Sequence, residues 1–208
     1  VSNSISQVLL KIASPGVPDF YQGNELWCFD LVDPDNRRPV DFERRGRMLS
    51  QLDAEAESDR ATLMERMAAN PEDGALKLYF TSRALRYRRA HRELFSRGSY
   101  IPLAASGSRA NRVAAFARAS AREAVVLLTG RFFTGLGNSH QSLVGEAWAD
   151  TVLTLPRNMK QAGFRDVFSG RAIPVEQRDG ASVIRLLEAF SLCPAALLAS
   201  FDAPVEAE

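Results

Sequence analysis

Apolar positions along the chain change period twice, and each change marks a different kind of element. Ile5, Val8, Leu9 and Ile12 recur at helical spacing, and Pro15 followed by Gly16 ends that helix. Val17 to Tyr21 then reads as a short strand feeding a long polar loop, Gly23 to Asp41. Helical spacing returns from Phe42, with Leu49 and Leu52 on one face. Leu63, Met64 and Met67 follow after a predicted cap at Ser58. Asn70, Pro71 and Gly74 interrupt the pattern. Leu76, Phe80, Ala84, Tyr87 and Leu94 then predict the buried stripe of one longer helix.

Beyond Gly98 the apolar runs shorten and turns separate them. Predicted strands are 100–103, 112–116, 124–128, 151–155, 165–168, 172–175, 183–187 and 195–199. Eight such runs without intervening helices predict an antiparallel sandwich. Residues 134–145, rich in Gly, Ser and Asn, predict an exposed loop. Trp148, followed by an apolar strand, is expected in the sandwich core rather than as a sugar platform.

Charge refines this division. The 26 Lys and Arg against 25 Asp and Glu leave a net charge of +1, which disfavours a nucleic-acid binder as a whole. The balance is uneven along the chain. Residues 51–73 hold seven acids and two bases, whereas 77–97 hold seven bases and one acid, so the two segments are expected to pair. The six Arg from Arg83 to Arg97 are read as a solvated helix face, with RNA binding as the alternative. Two cysteines, Cys28 and Cys193, and two histidines, His91 and His140, provide neither a disulfide framework nor a metal-ligand set. Cys28 is expected to be a small buried group, and His140 a solvated one. With no apolar run long enough to span a bilayer, no membrane or cofactor is expected and a cytoplasmic location is the default.

Candidate chemistry concentrates in the first loop. Asp30, Asp33, Asp35 and Asp41 lie close to Glu25, Asn36, Arg37 and Arg38, interleaved with Tyr21, Trp27 and Phe29. Carboxylates and guanidinium groups hydrogen-bond vicinal hydroxyls, and aromatic faces stack on the C–H faces of sugar rings. The same composition also fits a solvated loop laced with ion pairs.

The run from Ser14 to Glu25, SPGVPDFYQGNE, resembles the eighth-strand segment of the α-amylase superfamily, G-x-P-x-x-Y-x-G-x-E. The following LVDPDNRRPVDF, Leu31 to Phe42, resembles the maltooligosyltrehalose synthase family within it. Weaker likeness to the C-terminal sandwich of those enzymes runs through Leu94 to Leu103, Val113 to Arg118, Trp148 to Pro156 and Phe164 to Gly170.

The resemblance implies an α+β fragment: the end of a (β/α)8 barrel with a helical segment over 1–97, an antiparallel β-sandwich over 98–201, and a tail over 202–208. It implies a maltooligosaccharide substrate whose reducing-end α-1,4 bond becomes α,α-1,1. Tyr21, Gln22, Glu25, Asp33, Asp35, Asn36, Arg37 and Arg38 are the implied substrate-binding residues. The catalytic carboxylates are expected upstream of Val1, so no catalytic or metal residue is assigned here. Without the barrel, Val8, Leu9, Ile12, Val17, Phe20, Leu26 and Trp27 are expected to lack neighbours. That would leave the first forty residues rearranged, partly disordered, or self-associating with another chain.

Overall fold

The first helix, α1, spans Ser2–Ala13 and stops where Ser14 turns extended ahead of Pro15 and Gly16. Its last carbonyls have no partner within the helix. Arg88 supplies one, donating to the carbonyls of Ile12, Ser14 and Gly16. The computed structural model containing it describes residues 1–30, 33, 34, 37–136, 143–157, 159 and 163–201.

Val17 to Tyr21 does not form a strand. A strand needs a ladder partner for its N–H and C=O groups, and the described residues offer none beside this segment. Val17 is 95% exposed.

Two helices follow the loop, α2 (Phe42–Ser58) and α3 (Arg60–Ala69). Asp41 starts the first by accepting from the Arg44 amide at 2.8 Å. Asp59, not the predicted Ser58, caps the second, accepting from the amides of Ala61 and Thr62 at 2.9 and 3.2 Å. Ser58 still completes α2, while Asp59 takes an extended backbone and brings a negative charge to the helix N-terminus.

The long helix predicted next is divided at His91 into α4 (Ala75–Ala90) and α5 (Arg92–Arg97). The His91 ring stacks on Tyr87 at 4.1 Å, and its Nδ1 meets the Glu123 carboxylate at 2.5 Å, which ties the break to a sheet turn. The opposed charges pair as expected at Arg86–Asp53, through two hydrogen bonds of 2.5 and 2.8 Å. Other bases are spent differently, as Arg88 shows.

Ten strands follow among the described residues: β1 (Ser99–Pro102), β2 (Ala105–Ser106), β3 (Val113–Ala119), β4 (Ala124–Gly130), β5 (Val152–Thr154), β6 (Gly163–Asp166), β7 (Ala172–Pro174), β8 (Glu176–Arg178), β9 (Ala181–Arg185) and β10 (Ala195–Phe201). A short helix, α6 (Leu186–Ala189), precedes the last of them. All eight predicted runs carry strand, and β2 and β8 are additional. One sheet has the order β1-β3-β4-β10-β6-β7 and the other β2-β5-β9-β8, with antiparallel pairing throughout. Trp148 is fully buried between them in a helical turn, its indole N–H donating to the Leu143 carbonyl at 2.7 Å. Leu143 is therefore core rather than part of an exposed loop, because it supplies that acceptor. His140 lies outside the described residues.

The larger sheet is apolar on both faces. Val126, Leu128, Ala196 and Leu198 pack toward the smaller sheet, while Val125, Leu127, Ala195 and Leu197 join a second core with α1 and α4. The period-two alternation of β4 and β10 thus separates two apolar interiors instead of core from solvent. Phe80 of α4 stacks on Phe168 at 3.9 Å, and the Tyr79 hydroxyl donates to the Phe168 carbonyl at 2.8 Å. Val8, Leu9, Ile12 and Leu26 are buried within this chain. For these four the expected loss of neighbours is therefore wrong, since α4 and the larger sheet cover α1 and Leu26 packs against Gly74, whereas Val17 does lie in solvent.

Asp166 is a carboxyl buried in this interior. Its Oδ2 accepts from the Ser169 amide and hydroxyl at 2.9 and 2.6 Å, but Oδ1 has no partner. Burial raises its pKa above the ordinary 3.8. Between the ordinary and the raised value the native state binds the proton more tightly than the unfolded chain. Stability contributed by this group therefore falls as pH rises across that window. Asp166→Asn should flatten this slope. If thermal midpoints of variant and parent fall equally from pH ~4 to ~7, Asp166 is not its source.

Among the described residues, no helix is long and apolar enough to cross a membrane. Nor does any group of three or more His, Cys, Asp or Glu among them sit where it could hold a metal ion.

Candidate functional site

The loop between α1 and α2 folds around a cleft of about 560 Å³. Gly23 makes the turn at one wall with φ of +91°, a conformation that other residues reach only with strain. A Cβ there would also sit 3.3 Å from Val40 on the opposite wall.

Arg45, in the first turns of α2, holds the two walls together. Its Nε donates to Glu25 Oε2 at 3.1 Å, Nη2 to the Gly23 carbonyl at 3.0 Å, and Nη1 to the Asp41 carbonyl at 3.1 Å. A planar guanidinium reaches three acceptors in fixed directions, which an ammonium cannot do. The floor is anchored from below. Lys77 of α4 donates to the Leu26 carbonyl at 3.0 Å, and the Trp27 indole N–H donates to the Pro71 carbonyl at 2.9 Å. Burial lowers the pKa of the Lys77 ammonium, with nearby Cys28 and Glu25 opposing the shift.

The resulting surface mixes aromatic rings with hydrogen-bonding groups. Tyr21, Trp27 and Phe29 line the cleft beside Gln22, Asn24, Asp30 and Arg38. Phe29 is 85% exposed, an apolar ring left in solvent at the mouth. Cys28 also faces the cleft and is exposed, correcting the expected burial; its thiol donates to Asp30 Oδ2 at 3.2 Å, a partner available only at the surface. Convergent polar groups around exposed rings suit a hydroxylated, weakly apolar ligand.

Of the residues inferred from sequence, Tyr21, Gln22 and Arg38 line this cleft. Glu25 stands behind it, engaged with Arg45. Asp33 and Arg37 pair with each other at 2.5 and 2.8 Å, exposed and outside the lining. Asp35 and Asn36 lie outside the described residues. Sequence reasoning missed Arg45, although its position one turn after the Asp41 cap directs a long side chain back toward the loop.

No protein-family model matches the chain. A protein of Mycobacterium tuberculosis named as a maltooligosyl trehalose synthase is 36% identical over 155 residues, covering 74% of this chain and 16% of the relative. The solved maltooligosyltrehalose synthase from Arthrobacter ramosus superposes with a TM-score of 0.73 at 34% identity, over 96% of this chain and 22% of that one. A maltogenic α-amylase, AmyB from Thermotoga neapolitana, shares the fold alone: its TM-score is 0.57 at 13% identity, over 96% of this chain and 36% of its own. The chain thus spans about a sixth of the length of the curated relatives it matches. In sequence and in fold the chain matches the C-terminal part of maltooligosyltrehalose synthases.

Proposed function

We propose that this chain works as the C-terminal part of an isomerase that converts the reducing-end α-1,4 linkage of a maltooligosaccharide into α,α-1,1 by intramolecular transglucosylation, a step toward trehalose. In this reading residues 1–97 complete a barrel and its substrate wall, residues 98–201 buttress it as a sandwich, and 202–208 form a tail. The observation that carries the proposal is the Arg45-braced cleft, lined by residues of the SPGVPDFYQGNE segment and by Arg38 to Asp41 of DPDNRRPVDF, the two runs that resemble the family.

The chemistry divides between this chain and the portion of the relatives it does not span. Retaining transfer needs a nucleophilic carboxylate and a protonated acid about 5 to 5.5 Å apart. The cleft carboxylates here have other duties: Asp41 caps α2, and Asp30 accepts from Cys28. Catalytic acids are accordingly assigned to the rest of the enzyme. The contribution of this chain is to hold the freed glucose and keep water away, so that its anomeric hydroxyl attacks the intermediate. Tyr21, Gln22 and Arg38 are the proposed sugar contacts, with Asp33, Asp35, Asn36 and Arg37 on the loop above and Glu25 in support.

No metal or cofactor has a role in this scheme, nucleic acid and membrane are not partners, and the location is cytoplasmic. Self-association through the N-terminal region has little support, because the apolar face of α1 is covered within the chain. A free-standing sugar-binding sandwich is also poorly supported. Large exposed apolar residues among its described strands and turns are confined to Tyr100 and Phe132, and Tyr100 leans on Phe116 at 4.8 Å.

Incubated with maltopentaose, the chain alone should give no product, and turnover would refute the division of labour. In the complete enzyme Arg38→Ala should raise KM or the ratio of hydrolysis to transfer about tenfold, the equivalent of one lost charged hydrogen bond. Unchanged values of both would remove Arg38 from the site.

A further inference from the structure

We infer that Trp27 is a preorganised stacking platform for a glucosyl ring and that Lys77 is the residue that positions it. The inference rests on the glucan reading of the cleft and adds a residue to it.

Three contacts fix the segment that carries the ring. Lys77 Nζ holds the Leu26 carbonyl at 3.0 Å, and the Trp27 indole N–H is bound to the Pro71 carbonyl at 2.9 Å. Leu26 itself packs so closely on the N-terminus of α4 that a Cβ on Gly74 would lie 3.1 Å from it, at a φ of +85°. The Lys77 ammonium also sits over the Trp27 ring, 5.3 Å from its centroid. Trp27 lines the cleft whereas Lys77 does not, and Trp27 also packs partly against the interior beneath.

This arrangement differs from ordinary packing. A Trp serving only the core is enclosed like Trp148, whereas Trp27 is half-buried with its one polar atom satisfied away from the cleft. With that atom taken, what the ring can offer a ligand is aromatic surface. With its rotamer already fixed, the ring loses little entropy when a sugar stacks on it. A buried lysine beneath it is costly unless the ammonium has partners, and here these are a carbonyl and the ring.

Tryptophan emission tests the idea cleanly, because the chain has two tryptophans and Trp148 is fully enclosed. Titration with maltopentaose should perturb Trp27 emission, and Trp27→Ala should abolish the signal and weaken binding measured by calorimetry about tenfold. Lys77→Met should lower Trp27 anisotropy and weaken binding, while Lys77→Arg, which keeps a cation, should restore both. Binding that leaves Trp27 emission untouched would overturn the platform and spare the glucan reading. Equal binding of cellopentaose, with Trp27 perturbed, would keep the platform and overturn that reading. No binding of either sugar at millimolar concentration would overturn the platform. If Lys77→Met fails to fold, Lys77→Arg decides: unchanged anisotropy and affinity support the positioning role, and loss of both overturns it.

Discussion

Leu9→Ala should destabilise the chain by ~2–5 kcal/mol, the range for truncating a large buried aliphatic side chain. Leu9 is 1% exposed and belongs to the core that joins α1, α4 and the inner residues of β4 and β10. Denaturant unfolding gives the comparison directly, with Val17→Ala as the control. At 95% exposure Val17 should change stability by less than about 0.5 kcal/mol. A cost below about 1 kcal/mol for Leu9→Ala would mean that α1 is not part of the cooperative core. Its outcome bears on function, because the segment leaving α1 leads directly to the cleft.

Arg45→Ala should have the largest effect on the cleft. It removes three hydrogen bonds at once and leaves Glu25, a half-buried carboxylate, without its guanidinium. Charged hydrogen bonds are worth about 1.5–3 kcal/mol each. The pair retains some solvent contact, so a total of ~2–3 kcal/mol is a fair expectation after screening. The specific signature is local. Amide exchange at Asn24 to Leu26 should accelerate strongly, with the sandwich strands unchanged, and sugar binding should be lost. Arg45→Lys should repair little, because one ammonium cannot serve Glu25 and both carbonyls together. Wild-type exchange in either variant would show that the loop holds itself.

What the sequence made legible follows from how far each signal reaches along the chain. The short apolar runs 124–128 and 195–199 located strands correctly because run length and the turns that bound it are local properties. Which surface each face meets is not local. Even so, the unbroken apolar run from Ala124 to Leu128 carries the mark of a strand covered on both sides, a pattern that fits a three-layer arrangement better than a sandwich alone. Ile5, Val8, Leu9 and Ile12 announced an amphipathic helix but not its partners, α4 and the larger sheet, which lie far along the chain. The Val17–Tyr21 strand failed for the complementary reason: extended propensity is insufficient without a neighbour to complete the ladder.

The cleft was half legible. Its residue types pointed to hydroxyl and ring chemistry, and Tyr21, Gln22 and Arg38 do face it. Neither bracing residue announced itself. Arg45 and Lys77 stand among other basic residues of similar appearance, and each acts on backbone carbonyls, which every residue possesses and no sequence pattern marks.

The two-faced sheet has one more consequence, for inheritance. Val125 and Leu127 touch the helices while Val126 and Leu128, their immediate neighbours, touch the second sheet. The change from helices to strands falls at Gly98, yet the interior crosses it without interruption. The two parts therefore cannot be exchanged with foreign counterparts as independent modules. A bulky change on α1 would press directly on Val125 and Leu127, so the helices and the strands stand or fall together as one packed unit.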